Sequence, residues 1–354
     1  MAIIQESKMK ALLVNAKENM TLEEIELPKI KNNEVLLKVA FCGVCGSDLP
    51  RYFQGAVHQF PQILGHEFSG TIEAMGEEVD NFDIGDRVVV APLIVCGTCE
   101  YCLSGFPQMC ENYGFIGSHQ AGAFAEFVAV PASNLIKVPE KVKLSEAALI
   151  EPFTVGLHAV ERFPLKANES VAIFGAGTIG LMTLAALRAK GVGTVTVIDI
   201  NEERLQFAKL FGADKVVNPI NTDIENYFQS NEQPTISFET AGHPTTQIQA
   251  ITVTKKKGRV VYVGTSHRNV NFKPKEFEQI FRKELLITGS MMSYSAPFPG
   301  YEWQATLDYM NRGILNLNKL ISEIYSLADG AKPFYDLTKP HSKHIKALYE
   351  IGGE

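Results

Sequence analysis

The sequence predicts an α/β protein in which a barrel-like, β-rich domain is interrupted by a doubly wound parallel sheet. Three observations carry this. Residues 9–91 break into short β-branched or alternating runs separated by Gly, Pro, Asn and Asp. From Val171 the texture becomes a regular alternation of apolar strand-like runs and amphipathic helices. After Gly289 that alternation stops, which suggests a return to the first domain. A length of 354 residues suits about two domains, and 45% hydrophobic with 21% charged residues is a globular composition.

In chain order, residues 10–15, 34–40, 69–74 and 87–91 read as strands, and strand-like sequence resumes at 122–130. A helix is expected from Ser145, acting as its N-cap, with a break at Glu151-Pro152 and continuation toward Arg162. The parallel strands are expected at 171–174, 194–199, 215–217, 235–239, 259–263 and 285–288. Helices at 179–190 and 202–211 lie between them, and further helices are expected after Gly289.

Gly175-Ala-Gly177-Thr178-Ile179-Gly180 follows the first of these strands and opens a helix, and Asp199 ends the next strand. In that context the first glycine allows a tight turn, the second lets a pyrophosphate approach the backbone, and the third lets helix and strand pack closely. The helix N-terminus then faces phosphate charge. Asp199 can accept hydrogen bonds from the adenosine ribose and repels a 2′-phosphate, so NAD is expected; Arg204 keeps NADP as a minor alternative.

The formal charge of -7 argues against nucleic acid as a partner. The triple lysine at 255–257 reads as a solvated turn. No secretory signal is evident, and the uncharged run 171–187 reads as strand, turn and helix, not as a membrane span. The cytoplasm is therefore expected, and in a reducing compartment clustered cysteines point to metal. Cys96, Cys99, Cys102 and Cys110 fall within one loop. Four thiolates make a closed tetrahedral zinc site with a structural role; disulfides or an iron–sulfur cluster are the alternatives.

A second, open zinc site is suggested by Cys45 with Gly65-His66-Glu67. From here the pattern resembles the zinc-containing medium-chain alcohol and polyol dehydrogenases. Gly-Val-Cys45-Gly-Ser-Asp48, Gly65-His66-Glu67, the four-cysteine loop, Glu151-Pro152 and the glycine turn occur in that family's order, over essentially the whole chain. The resemblance implies a GroES-like catalytic domain at 1–156 and 291–354 around a Rossmann domain at 157–290. It implies two zinc ions per chain, with Cys45, His66 and Glu151 holding the catalytic one and Glu67 alternating with them or holding a water beside it. Cys42 and His158 receive no role.

Glu151, where alcohol dehydrogenases place a second thiolate, marks the polyol branch. Further strings, among them Arg282-Lys-Glu-Leu285 and residues 289–303, resemble its polyol-phosphate members. The implied reaction is oxidation of a secondary alcohol of a polyol phosphate with hydride transfer to NAD, in a homodimer or homotetramer. Ser47 or a water near Glu67 is a candidate proton relay, although a serine there also suits a turn cap. Arg51 is the first candidate for the phosphate, ahead of His119, Arg282 and Lys283. Plain polyols such as sorbitol, pentitol phosphates, butanediol and L-threonine are alternative substrates. A relative that senses NAD without turnover is the non-enzyme alternative.

Overall fold

The computed structural model describes residues 7–339 and 342–354. The chain divides into two compact units, residues 1–151 with 294–354, and residues 152–293.

The first unit is built on a seven-stranded sheet. Glu34–Gly43 lies at its centre, paired antiparallel with Glu67–Met75, Phe127–Pro131 and Lys346–Glu350. Its burial pattern is nearly continuous, as expected for a strand covered on both faces. The core gathers Leu12, Leu36, Phe68, Phe124, Phe334 and Tyr349 around it. Tyr294 and Trp303 are also fully buried, with their rings stacked 6.0 Å apart. Tyr294 and Trp303 of the aromatic string thus contribute packing to this unit.

The second unit holds six parallel strands in the order Lys215–Val217, Val195–Ile198, Val171–Phe174, Ile236–Glu239, Arg259–Tyr262 and Leu286–Gly289. The order reverses beside Val171–Phe174, the switch point where open α/β sheets bind ligands. Helix Thr178–Ala189 starts there and has eight buried residues. Gly180 is required for this start: a Cβ would lie 1.9 Å from the Gly175 carbonyl oxygen. A Cβ on Gly177 would meet nothing within 4 Å, so the turn is open where a ligand would approach. Among the described residues no helix is long and apolar enough to cross a membrane.

Two expectations need correction. Ser145 is not an N-cap and Glu151-Pro152 is not a break. The helices are Leu144–Ala147 and Ile150–Val160, and the interruption falls at Ala148 and Leu149. Pro152 sits in a first turn, where its missing N–H has no intrahelical partner to lose. The earlier helix start is satisfied from elsewhere. The Glu354 carboxylate accepts the Leu144 N–H at 2.8 Å, the Ser145 N–H at 3.3 Å and the Ser145 hydroxyl at 2.7 Å.

The segment after Gly289 is also not helical throughout. It supplies the parallel pair Ile321–Ser326 and Lys346–Glu350, which extends the first unit's sheet. Residues 122–126 do not form a regular strand either; the strand begins at Phe127. Gly122, Ala123 and Phe124 instead donate to the carbonyls of Ile63, Gly65 and Leu64, and so fix the approach to His66.

Candidate metal and nucleotide sites

Cys45 follows the central strand, and His66 directly precedes Glu67–Met75. Their local backbone depends on Gly65, whose φ of +96° suits glycine, and whose Cβ would come 2.8 Å from Cys42 Sγ. Cys42 therefore serves packing beneath the site. One ligand atom each from Cys45, His66 and Glu67 lies within 4.8 Å of the others.

Asp48, fully buried, ties this set together. Its Oδ2 accepts the Cys45 N–H at 3.0 Å, and its Oδ1 lies 3.5 Å from His66 Nδ1 and accepts from Arg51 Nη1 at 3.2 Å. Burial raises the Asp48 carboxyl's proton affinity, but His66 and Arg51 more than offset this and hold it below its ordinary value. For His66, burial pulls the pKa down, whereas Asp48 and the Cys45 sulfur raise it well above the imidazole range. A buried ring surrounded by negative charge is a place suited to a cation.

Glu67 is engaged on both oxygens by Lys346 Nζ, at 2.8 and 2.7 Å, and Lys346 also donates to the Val44 carbonyl at 3.1 Å. Both side chains are 1% exposed. Glu151 is buried on the first turn of its helix. Burial pushes its carboxyl up to about 7, with His66 pulling it down and Glu67 adding to the rise. A thiolate, an imidazole and a neighbouring carboxylate are a donor set that zinc accepts with a position left open.

Ser47 is exposed; its N–H points at Cys45 Sγ at 3.5 Å and its hydroxyl accepts from Arg51 Nη1 at 2.9 Å. Arg51 is therefore partly engaged at the rim of this site. Arg282 pairs with Glu278 at 2.6 Å, and Lys283 donates to the carbonyls of Thr252 and Thr254 at 2.6 and 2.8 Å.

The second sulfur cluster is compact. Cys96, Cys99, Cys102 and Cys110 place Sγ atoms within 4.8 Å of one another, and none forms a disulfide. Backbone N–H groups of Cys96 and Cys99 point at the sulfurs of Cys110 and Cys96, at 3.3 and 3.4 Å. Such donors, from Thr98 and Cys99, bring the Cys96 thiol down to about 6, whereas burial and the neighbouring sulfurs push Cys102 up to about 12. Four converging sulfurs supplied with N–H donors fit a closed zinc site.

In the second unit, the Gly175 turn borders a cavity of about 560 Å³ lined by Gly177, Asp199, Arg204, Thr240 and His243. Asp199 accepts the Ala176 N–H at 2.7 Å through Oδ2 and the Asn201 N–H at 2.7 Å through Oδ1. The carboxylate is thereby held at the cavity wall. Arg204 Nε is buried without a hydrogen-bond partner among the described residues. Thr178 and Ile179 lie on the first turn of the helix facing this cavity's glycines.

Sequence reasoning missed Lys346 and the role of Asp48, together with the wall contributed by Thr240 and His243. Asp48 stood inside the quoted Cys-Gly-Ser-Asp string and was visible there. Lys346 had no local signal, being 279 residues from its partner.

Comparison with known proteins agrees with this geometry. Residues 31–140 match the alcohol dehydrogenase GroES-like domain, and residues 178–311 match the zinc-binding dehydrogenase domain. The chain belongs to the zinc-containing medium-chain alcohol dehydrogenases, a family of oxidoreductases that bind NAD-type cofactors. Within it, the chain is 38% identical to galactitol 1-phosphate 5-dehydrogenase of Escherichia coli K12, over 94% of this chain and 97% of the other. The crystal structure of galactitol-1-phosphate dehydrogenase from Escherichia coli superposes with a TM-score of 0.90 at 37% identity, covering 97% of this chain and 100% of that one. An alcohol dehydrogenase from Escherichia coli CFT073, solved with NADH, also gives a TM-score of 0.90, at 31% identity and with 98% and 100% coverage.

Proposed function

We propose that the protein oxidises a secondary alcohol of a polyol phosphate to a ketone, with galactitol 1-phosphate as the leading substrate and NAD as the hydride acceptor. The observation that carries the dehydrogenase chemistry is the convergence of Cys45, His66 and Glu67 within 4.8 Å, with buried Glu151 outside that set but within electrostatic reach of His66 and Glu67. The relative at 38% identity over 94% of the chain supports the substrate.

Cys45, His66 and Glu151 would hold a catalytic zinc, and Cys96, Cys99, Cys102 and Cys110 a structural one. Catalytic zinc supplies Lewis acidity toward the hydroxyl that loses its proton. The protein's own residues do the rest. Asp48 fixes the Cys45 loop and the His66 ring through its two oxygens. Lys346 donates to both Glu67 oxygens and so fixes where that side chain points. Ser47, exposed at the rim, is placed to pass a proton outward, and Arg51 holds its hydroxyl. The alcohol carbon gives its hydride to NAD and the hydroxyl gives its proton to that relay, leaving a ketone and NADH.

The test is NAD reduction with galactitol 1-phosphate, galactitol, sorbitol, butanediol and L-threonine in parallel. The reading predicts the highest kcat/KM for the phosphorylated polyol; equal or better turnover of an uncharged polyol would refute it. For the cofactor, Asp199 carries the preference. Asp199→Ser is expected to lower kcat/KM for NAD by roughly tenfold, as for a lost charge-assisted hydrogen bond, and to narrow the gap to NADP. Initial rates with each cofactor decide this, and an unchanged NAD/NADP ratio removes Asp199 from that role.

A further inference from the structure

The loop after helix Asp48–Phe53 carries His58, and the turn after strand Gly114–Phe115 carries His119. Their rings face each other, with centroids 4.1 Å apart and planes inclined by 31°. Tyr113 closes one side, edge-on to His119 at 5.2 Å. Neither imidazole forms an ion pair with a carboxylate among the described residues. Burial lowers the proton affinity of His119 first, and His58 and Arg51 lower it further.

Arg51 is only half used by the protein. Its Nη1 serves Ser47 and Asp48, at 2.9 and 3.2 Å, while Nε and Nη2 have no partner among the described residues. Two closely facing imidazoles on exposed residues therefore lie within electrostatic reach of a guanidinium with a free edge, and no carboxylate among the described residues pairs with the two rings. A bound anion would favour the donor-bearing form of groups placed this close together. A phosphate monoester offers up to two negative charges and three acceptor oxygens, a match for several donors at once. The arrangement is also tied to the metal-ligand set, because Asp48 Oδ1 contacts both Arg51, at 3.2 Å, and His66, at 3.5 Å.

We infer that His58, His119 and the free edge of Arg51 form the subsite that takes the substrate's phosphate group. This rests on the polyol-phosphate reading and extends it to two histidines outside the metal-ligand set. Both rings lie on exposed residues, so glutamine substitutions remove the imidazoles without opening a core.

The experiment is steady-state kinetics with NAD for His58→Gln, His119→Gln and the double variant. The substrates are galactitol 1-phosphate, galactitol and an aldonate, and inorganic phosphate is tested as an inhibitor of galactitol oxidation. Each single substitution is expected to raise KM for the phosphorylated polyol about tenfold, the loss of one charge-assisted hydrogen bond, with a much smaller change for galactitol. Inhibition by inorganic phosphate should weaken in parallel. Equal KM changes on the two polyols, or unchanged phosphate inhibition, overturn the assignment. A His-dependent KM rise for the aldonate alone also overturns it. If the wild-type enzyme turns over only unphosphorylated polyols, the substrate reading fails, and inorganic phosphate inhibition in the variants then decides the subsite by itself. Should a glutamine variant lose zinc, His58→Asn and His119→Asn replace it.

Discussion

Lys346→Met is expected to destabilise the first unit by about 3–5 kcal/mol, the usual cost of leaving one member of a buried ion pair without its partner. The ammonium sits 2.8 and 2.7 Å from the two Glu67 oxygens, and both side chains are 1% exposed. Burial works against the charged amine, yet Glu67, the Cys45 sulfur and Glu151 raise its proton affinity above the ordinary lysine value. Methionine fills a similar volume but leaves the Glu67 carboxylate with no counter-charge. The double variant Lys346→Met/Glu67→Gln should recover much of the loss, since a neutral amide needs no cation. Thermal unfolding of wild type, both singles and the double closes the cycle. A Lys346→Met protein that melts like wild type would show that the pair does not anchor this region. Turnover should fall as well, because Glu67 adjoins Cys45 and His66.

That lysine also shows what a sequence conceals. The cysteine loop, the glycine turn and the alternating strands were legible because each spacing is local: ligands within fifteen residues, or a turn between one strand and the next helix. The six-stranded sheet followed from hydrophobic rhythm alone. What escaped is what the chain assembles across long separations. The strand Lys346–Glu350 is a short apolar run that periodicity cannot place, and it acquires its meaning only by pairing Leu348 with Gly43 and Tyr349 with Cys42. Likewise, the start of helix Leu144–Ala147 was misread because its capping carboxylate comes from Glu354, 210 residues away from Leu144. Asp48 is the intermediate case. Its position beside Cys45 and its i,i+3 pairing with Arg51 were readable, but its hold on His66 depends on another part of the chain.

Zinc content and turnover should separate under substitution. If both clusters are filled, the wild-type chain carries about two zinc ions, one per donor set. His66→Ala is expected to release one of them and to reduce kcat/KM by about 10³-fold or more, the scale of losing Lewis-acid stabilisation worth several kcal/mol. Cys99→Ser should release the other, and its first effect should be on stability, because a closed four-sulfur site has no coordination position for substrate. The two sites should also differ in how readily they yield to a chelator. Carboxylate Glu151 is a harder ligand than sulfur, so the site of Cys45, His66 and Glu151 should empty before the four-thiolate loop. Brief chelation is then predicted to abolish activity while leaving one zinc and the fold in place, with activity returning when zinc is added. Atomic absorption, circular dichroism and NAD reduction on the same samples test this together. Full activity with a single zinc, or activity retained in His66→Ala, would remove the open site from the chemistry; loss of the fold at the first zinc released would instead place the more labile ion in the cysteine loop.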